Sequence, residues 1–379
     1  MVNMEDMQNR NQERQVSKGV QAAESLEVPV SPEAPNRRFW ARFRRNRLGF
    51  WSFCVLVVML VVSLGAELVS NDRPLVVRYE GEWFFPVVQD LPETVFGGDF
   101  ESPTDFHDPL IKEALSRPGN WAVFAPNRYG FRTLNYFAPQ PNPAPPSGDN
   151  VLGTDRQGRD MVAQLVYGFR VSALFALVLT VIGVVVGIAA GAVQGYFGGK
   201  VDLVGQRLIE VWEAMPMLYL LIIFSSLFKP SVVILVVLLS LFSWIGLAAY
   251  VRAEFLRNRQ LDYVRSARAL GLSHWQVIWR HVLPNSLMPV ITFLPFMMSG
   301  AMVTLTSLDF LGLGVPPETP SLGALLQQGK RSLDAWWISL PTFGVLFVTL
   351  MLLTFTGDGL RNALDPRHSG KRVKARGVV

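Results

Sequence analysis

The sequence predicts an all-α polytopic membrane protein in which six transmembrane helices carry one small extracytoplasmic insertion. Half of the 379 residues are hydrophobic, only 17% are charged, and the mean hydropathy is +0.27. These values are typical of a membrane protein rather than a soluble one. The apolar runs are each about 20 residues long, which suffices to cross the hydrocarbon core of a bilayer. Basic residues flank these runs, so the net charge of +5 indicates membrane topology and no nucleic-acid partner.

Cysteine and histidine, which often serve as catalytic residues or metal ligands, are rare in this sequence. The only cysteine, Cys54, lies inside an apolar run, which excludes a disulfide within the chain and a cysteine metal cluster. The four histidines, His107, His274, His281 and His368, are scattered and form no ligand set. We therefore expect neither a metal site nor a catalytic site in this chain.

The N-terminal part leads from a polar tail into the first span. Residues 1–36 have almost no aromatic side chains, which predicts a disordered cytoplasmic tail, with a docking peptide as the alternative. Residues 37–70 contain the basic juxtamembrane segment RRFWARFRRNR and a first span from Gly49 to Val69. Trp40 and Phe43 suit the headgroup region, and the arginines suit anionic membrane lipid. By the positive-inside rule, this segment keeps the N-terminus in the cytoplasm.

Residues 71–150 form an extracytoplasmic insertion of different composition. They carry charges of both signs, many aromatic side chains and the proline run PQPNPAPP from Pro139. The segment from Leu75 to Val88 has two β-prone runs on either side of Glu80-Gly81-Glu82, which predicts a hairpin. The prolines predict a stiff return to the membrane. We interpret the insertion either as a lid over the helices or as a seat for a soluble binding protein.

Residues 151–367 hold the other five spans and a cytoplasmic loop. Ahead of the second span, the stretch NVLGTDRQGRD places Gly153 and Gly158 at tight turns and Asp155 and Asp160 as caps of backbone amides. With no histidine or third carboxylate beside them, the two acids do not predict catalysis or metal binding. The basic segment 368–379 lies inside the cell, so both termini are cytoplasmic.

The second span, Ser172 to Val193, carries a stripe of small residues. The stripe consists of Gly183, Gly187, Gly191, Gly195 and Gly199, which recur every fourth residue and are predicted to share one helix face. Because these residues lack side chains, another helix can approach them closely. The stripe predicts either a packed bundle or a two-subunit interface.

No nucleotide site is recognisable in the sequence. The stretch GYFGGKVD has a lysine after two glycines, which superficially suggests a phosphate-binding loop. That motif requires glycine where this chain has Gln194, and serine or threonine where it has Val201. The lysine is therefore interpreted as an ordinary loop residue.

Four further spans follow, together with candidate pathway residues. The third predicted span is opened by Arg207, Glu210, Glu213 and Pro216 and continues to Phe228. The next three run from Ser231 to Tyr250, from Ser286 to Leu308, and from Trp337 to Thr356. Glu213 is a candidate pathway residue, with an interfacial carboxylate in water as the alternative. The candidate lining residues are Met215, Met217, Met297 and Met298, because methionine repacks readily around varied side chains. Ordinary helix packing is the alternative for these methionines.

A polar and basic interruption, Asp262 to Pro284, separates the fourth and fifth predicted spans on the cytoplasmic side. Helical spacing predicts a first short helix, and Gly271 suits the positive φ of a helix C-terminus. Ser273 and Gln276 have the spacing of a capping box that begins a second helix, and Pro284 is expected to end it. The stretch predicts a compact helix-turn-helix that another protein grips, with an ordinary amphipathic surface turn as the alternative.

Several motifs, in order along the chain, resemble those of one family of membrane proteins. Ala267, Gly271 and the Leu283-Pro284 pair have the spacing of the EAA loop of bacterial ABC importer permeases. The LGTD and GRD motif ahead of the second span and the later FLGLGVPP resemble the oligopeptide and dipeptide permeases. The insertion sequence NDRPLVVRYEGEWFFP and the phrase GQRLIEVWEAMP resemble the Yej-type members, which belong to importers of oligopeptides and microcin C.

The resemblance implies a type I ABC importer permease of the bacterial inner membrane, a transport subunit without catalysis or a cofactor of its own. It implies three partners: a sister permease, a cytoplasmic ABC ATPase that holds ATP and Mg²⁺, and a periplasmic peptide-binding protein. It also implies that the loop couples to the ATPase through Asp262, Tyr263, Arg265, Ser266, Ala267, Arg268, Leu270, Gly271 and Pro284. Where the family usually has Glu-Ala-Ala, this chain has Arg265-Ser266-Ala267.

Three other interpretations remain at the level of sequence. Related permeases move nickel or other small solutes. An ion-coupled secondary transporter would have ionisable residues near mid-bilayer, where the predicted spans are nearly free of them. A membrane scaffold or sensor would bind a ligand through its outer domain without moving it.

Overall fold

A computed structural model describes residues 35–136, 138, 140–229 and 231–364. Within them, five helices are long and apolar enough to cross a membrane, and a bent helix pair adds a sixth span if it is counted as one. The predicted all-α membrane fold is thus confirmed. The predicted tail 1–36 is described only from residue 35 onward. The predicted tail 368–379, Pro139 and Pro230 lie outside the described residues.

The spans are numbered here in chain order. Span 1 is Arg47–Leu64, span 2 is Met161–Phe197, span 3 is the bent pair Gly199–Glu213 and Met217–Leu227, span 4 is Val232–Ser243 continued by Ile245–Asn258, span 5 is Leu283–Phe310, and span 6 is Trp336–Leu364. The shorter helices of the described residues are Pro35–Arg45, Ala66–Val69, Pro109–Ser116, Asp262–Ala269, His274–Val277 and Leu322–Arg331.

Span 2 begins well before the predicted Ser172. The side chain of Asp160 caps the helix by accepting a hydrogen bond from the Ala163 amide at 2.9 Å. Gln164 and Arg170 interrupt the apolar pattern without ending the helix, because both find polar partners. Gln164 Nε2 donates to the Phe131 carbonyl at 2.6 Å, and Arg170 Nη1 donates to Glu67 Oε1 at 2.8 Å.

Span 3 was predicted as one span opened by Arg207, Glu210, Glu213 and Pro216, and the structure instead divides it into two helices. Its two halves meet at an angle of 62°. Pro216 precedes the second half and has no N–H with which to continue the hydrogen-bond ladder. The first half, which is more polar, extends the span back to Gly199.

The core of the bundle lies between spans 2, 5 and 6. Phe175, Met302, Leu305 and Ile338 are buried there in one apolar cluster. A bilayer provides no hydrophobic driving force between helices, so close packing of such side chains is what holds the spans together. Phe43, predicted at the headgroups, is also buried, because it lies against Phe50 at the span 1 end and beside Gly359 of span 6.

The insertion contains an antiparallel sheet of order β2-β1-β3, with β1 at Val76–Tyr79, β2 at Glu82–Phe84 and β3 at Trp121–Val123. The predicted hairpin is confirmed: Val77 pairs with Phe84 across a turn in which Glu80 and Gly81 have φ of 51° and 89°. β3 was not predicted, because its pairing with β1 is non-local. Val77 and Phe96 are buried in the insertion's own apolar cluster.

Asp160 connects the insertion to the membrane helices. Besides capping span 2, its carboxylate accepts hydrogen bonds from Asn127 Nδ2 at 2.6 Å and from Asn150 Nδ2 at 2.8 Å. The cap predicted for Asp155 is confirmed, since it accepts from the Gln157 and Arg159 amides at 2.8 and 2.9 Å. These bonds hold the insertion over the N-terminal end of span 2.

Candidate functional site

The segment 262–284, called the coupling loop below, joins span 4 to span 5. Its first helix, Asp262–Ala269, forms as predicted and buries Val264 and Ala267. These two side chains pack in one cluster with Val277 and Val282 of the second half of the loop. The same cluster includes Tyr196 of span 2 and Phe255 of span 4, so the loop buries its apolar side chains against the membrane helices.

The corner of the loop follows the local rules that predicted it. Gly271 has φ of 83°. The Leu272 amide donates to the Ala267 carbonyl at 3.3 Å and the Gly271 amide to the Arg268 carbonyl at 3.0 Å, which together make a Schellman motif. The capping box is present: the Gln276 amide donates to Ser273 Oγ at 3.4 Å and the Ser273 amide to Gln276 Oε1 at 2.9 Å.

The expectation that Pro284 ends the second helix is wrong. A π-helical turn, Ile278–Val282, carries His274–Val277 directly into span 5, so that one helix runs from His274 to Phe310. The Leu283 amide bonds to the Ile278 carbonyl, five residues back. Such a turn rearranges the hydrogen-bond ladder just ahead of a residue that cannot donate, so the helix passes through the proline. The coupling loop is consequently continuous with span 5.

Tyr196, near the C-terminal end of span 2, contacts the loop from the side. Its hydroxyl lies 3.0 Å from His274 Nδ1, and the Arg268 guanidinium lies 4.9 Å from the centre of its ring. Arg259 Nη1 donates to the Tyr196 carbonyl at 3.2 Å. Sequence reasoning missed this residue; its only signal was a tyrosine at the inner end of a glycine-rich span.

Two polar contacts link span 4 to its neighbours near the loop. Asn258 Nδ2 donates to Ser286 Oγ at 2.9 Å, and both side chains are buried. Arg252 donates hydrogen bonds to both carboxylate oxygens of Asp202, near the start of span 3: Nε to Oδ1, and Nη2 to Oδ2 at 2.7 Å. Side-chain contacts thus hold the loop against span 2 and join span 4 to span 5 at its base. Arg252, ahead of the loop, joins span 4 to span 3.

The loop exposes several large apolar side chains on its surface. Leu270 is 82% exposed, and Trp275 and Trp279 are each 63% exposed. Of the predicted coupling residues, Asp262, Tyr263, Arg265, Ser266, Arg268, Leu270, Gly271 and Pro284 are exposed, while Ala267 is buried. Large exposed apolar groups in a cluster are typical of a protein–protein contact surface.

The glycine stripe of span 2 packs against span 4 of the same chain. A Cβ placed on Gly191 or Gly195 would lie 2.5 Å from the carbonyl oxygen of Ala248 or Arg252, respectively. At Gly187 it would lie 3.0 Å from Leu247 Cβ, and at Gly183 3.1 Å from the Ser243 carbonyl oxygen. Of the two predicted uses of the stripe, these contacts support the packed bundle.

Two of the candidate pathway residues meet at one cavity. A cavity of about 280 Å³ lies between spans 2, 3, 4 and 5, and Met217 and Met297 both line it. Met298 packs instead against the main apolar cluster. Met215 is half-buried and Glu213 is exposed, and neither lines this cavity. The structure thus brings together one methionine from span 3 and one from span 5.

A buried carboxylate organises the FLGLGVPP segment at the outer end of span 5. Asp309 accepts hydrogen bonds from Ser321 Oγ at 2.7 Å and from the Val315 amide at 2.8 Å. Gly312 has φ of 78°, which allows the tight turn between them. Asp309 was not among the predicted site residues, although an acid within an apolar run is a signal of a functional or structural role.

The fold and the loop define the membrane subunit of an importer. Residues 164–370 match the family described as "Binding-protein-dependent transport system inner membrane component", and residues 35–82 match the "N-terminal TM domain of oligopeptide transport permease C". The chain therefore belongs to the family of inner-membrane components of binding-protein-dependent transport systems. It is a multi-pass inner-membrane permease of an ABC importer, and the family implies ATPase and substrate-binding partners.

Individual relatives agree with this assignment. The inner membrane ABC transporter permease protein YejE of Escherichia coli is 48% identical over 87% of this chain and 97% of that protein. The peptidoglycan transport system permease protein YejE of Agrobacterium fabrum is 43% identical over 90% of this chain and 97% of that protein. The dipeptide transport system permease protein DppC of Lactococcus lactis is 29% identical over 93% of this chain and 96% of that protein. The predicted resemblance to peptide permeases is confirmed.

Solved structures of an ABC transporter also match part of the chain. Inward-facing conformations of the MetNI methionine ABC transporter match 54% of this chain and 98% of the solved chain, with 16% identity and a TM-score of 0.47.

Proposed function

We propose that this chain carries oligopeptides across the inner membrane, as one of two permease subunits that form a shared pathway. The N-terminal match to an oligopeptide permease domain and the similarity to a dipeptide permease support a peptide cargo. The name of the A. fabrum relative favours a second candidate, peptidoglycan fragments. The two candidates are chemically close, because peptidoglycan fragments carry short peptides.

The continuity of the coupling loop with span 5 carries the proposed mechanism. Because His274–Phe310 is one helix, a displacement of the loop moves the inner end of span 5 directly. The contacts of Tyr196 with His274 and Arg268 pass the same displacement to span 2. Spans 2 and 5 both line the cavity that contains Met217 and Met297, so movement at the loop changes the shape of that cavity.

The exposed face of Leu270, Trp275 and Trp279 is the proposed docking surface for the cytoplasmic ABC ATPase. Its apolar centre offers burial, and the adjacent Arg265 and Arg268 offer charge at the rim, the usual composition of a protein interface. ATP and Mg²⁺ bind on that ATPase, and this chain contributes no catalytic group. ATP shifts the transporter between its two states only by its differential affinity for them.

This mechanism places the coupling loop and both termini in the cytoplasm. The basic residues near span 1 and after span 4 support that orientation by the positive-inside rule. The insertion then faces the periplasm, where the substrate-binding protein delivers its cargo.

Uptake by the purified importer tests the cargo. Proteoliposomes that contain both permeases and the ATPases are given the binding protein outside and ATP inside, and the uptake of radiolabelled tetra-alanine is measured. We expect ATP-dependent accumulation that an excess of unlabelled tetrapeptide abolishes. ATP-dependent uptake of a radiolabelled peptidoglycan tetrapeptide fragment, without uptake of tetra-alanine, would favour the second candidate. ATP-dependent uptake of nickel without uptake of either peptide would contradict the proposal.

The docking surface has a separate test. Trp275→Ala together with Trp279→Ala removes two exposed aromatic side chains, and we expect the ATPase to be lost during purification of the complex. Trp336→Ala is the matched control, because Trp336 is similarly exposed at the start of span 6 and lies outside the loop. Equal ATPase retention by the double variant and the control would place the docking surface elsewhere.

A further inference from the structure

A large cleft opens between the insertion and the outer ends of the membrane helices. Its volume is about 850 Å³, within the range of roughly 300–1,000 Å³ that is typical of ligand pockets. Val69 and Val162 line it from the helix ends, and Phe106, Leu115 and Phe124 line it from the insertion. It is separate from the cavity between spans 2, 3, 4 and 5.

Two cationic side chains line this cleft without a carboxylate partner. Within the described part of the chain, neither Lys112 nor Arg128 makes an ion pair. The Arg128 guanidinium lies 4.9 Å from the centre of the Phe124 ring, so a cation–π contact holds it at the cleft wall. Among the described residues the Arg128 side chain donates no hydrogen bond, so its N–H groups stay available for a ligand.

A carboxylate lines the same cleft. Asp149 comes from the loop ahead of span 2. Burial and the negative charges of Asp149 and Asp160 raise the pKa of Tyr129, which is also a lining residue. The Tyr129 ring stacks on His107 with their centres 5.4 Å apart. The cleft therefore combines two free cations, one carboxylate and apolar walls.

We infer that this cleft binds a short zwitterionic peptide on the outer side of the membrane, with the peptide's C-terminal carboxylate on Arg128 and Lys112. A carboxylate accepts two parallel hydrogen bonds from a guanidinium, which is the strong and directional form of this contact. Asp149 suits the terminal ammonium group, and the apolar walls suit side chains of varied size. The inference rests on the proposed import of oligopeptides and adds a second binding position for that cargo.

The charge pattern favours a zwitterionic ligand over an anionic lipid headgroup. A phospholipid of anionic type would place its phosphate near Arg128 while meeting repulsion from Asp149. A zwitterionic peptide satisfies both signs. The cleft is also concave and walled by the insertion, whereas lipid tails would need an open path along the spans.

Equilibrium binding to the assembled importer, without the binding protein, tests the inference. The permease pair and ATPases are placed in nanodiscs, and the Kd for radiolabelled tetra-alanine is measured. We expect Arg128→Gln to raise this Kd about tenfold or more, because hydrogen bonds to charged groups contribute on that scale. Arg132→Gln should leave it unchanged: the Arg132 guanidinium likewise lies over a ring, 5.1 Å from the Phe131 centre, but the residue does not line the cleft.

A second ligand identifies which end of the peptide Arg128 holds. C-terminally amidated tetra-alanine should bind the unaltered importer at least as weakly as tetra-alanine binds Arg128→Gln, because the amide also loses its charge contact with Lys112, and the substitution should weaken binding of the amide less than binding of the acid. Equal affinity of the unaltered importer for the acid and the amide would overturn the inference. So would identical Kd values for Arg128→Gln and Arg132→Gln.

Uptake measured on the same preparations separates this inference from the proposed function. ATP-dependent uptake of tetra-alanine without any binding to the cleft would reject the cleft and leave the oligopeptide function standing. Absence of tetra-alanine uptake would reject the function, and with it a role for the cleft in import. A phospholipid that native mass spectrometry finds on the unaltered importer but not on Arg128→Gln, with no peptide bound, would reassign the cleft to lipid.

Discussion

Asn258 Nδ2 donates a 2.9 Å hydrogen bond to Ser286 Oγ across the base of the coupling loop. Asn258 is 5% exposed and Ser286 1% exposed, so water does not replace the bond when it is lost. The bond joins the last residue of span 4 to the beginning of span 5. It therefore ties the two spans together at the base of the loop.

Asn258→Ala should uncouple ATP hydrolysis from transport. It leaves the Ser286 hydroxyl without its partner, at a cost of about 1–3 kcal/mol, and frees span 4 from span 5. The measurement is the ratio of ATP hydrolysed to peptide imported in proteoliposomes, which we expect to rise. Ser307→Ala is the control, because that hydroxyl bonds only within its own helix, to the Val303 carbonyl at 2.8 Å. An unchanged ratio in Asn258→Ala would remove this bond from the coupling path.

Gly191→Ala should destabilise the chain. The added methyl group would lie 2.5 Å from the Ala248 carbonyl oxygen, so spans 2 and 4 must separate, at a cost of about 1–3 kcal/mol. We expect a lower midpoint of thermal unfolding in detergent. Gly246→Ala is the matched control in span 4, since a Cβ there meets nothing within 4 Å. Equal midpoints for the two variants would show that the helices yield at Gly191 without strain.

Local rules predicted those parts of the loop whose structure depends on neighbouring residues alone. The capping box of Ser273 and Gln276 and the positive φ of Gly271 both follow from residues within one turn. Pro284 was misjudged, because a proline that ends a helix and one that a π-helical turn accommodates have the same local sequence. The difference lies in the packing around Ile278 and Val282, which are buried.

Contacts between distant segments were beyond the reach of the sequence. Tyr196 meets His274 only after span 2 and the loop are brought together, and no spacing rule connects them. The glycine stripe predicted close helix packing but left its partner open, because Gly191 has the same appearance in a bundle and in a subunit interface. The cleft at Arg128 and Asp149 likewise depends on where the insertion folds back.

Gly271→Ala should impair the coupling of ATP hydrolysis to transport because it strains the backbone, and not because the added methyl group is too large. Gly271 has φ of 83° and a Cβ there meets nothing within 4 Å, so the cost is the left-handed conformation itself, about 1–2 kcal/mol. Gly271→Asn should retain more transport than Gly271→Ala, because asparagine visits this region more readily. The measurement is again peptide imported per ATP hydrolysed. The reverse order of the two variants would contradict a backbone cause.

Arg265→Glu should weaken docking of the importer's own ATPase. Arg265 is exposed on the first helix of the loop, makes no ion pair among the described residues, and stands where related loops usually carry glutamate. If its charge faces an acidic group of the ATPase, reversal replaces attraction by repulsion.

The measurement is the affinity of the permease pair for the ATPase at about 0.05 and 0.5 M salt. The variant should lose most affinity, relative to the unaltered pair, at low salt, because exposed charges are screened at high salt. Arg331→Glu makes the same charge change in the helix Leu322–Arg331, beyond the outer end of span 5, and should have no effect. Salt-independent weakening would assign Arg265 a role through shape, and unaltered affinity would show that this loop docks by its apolar face alone.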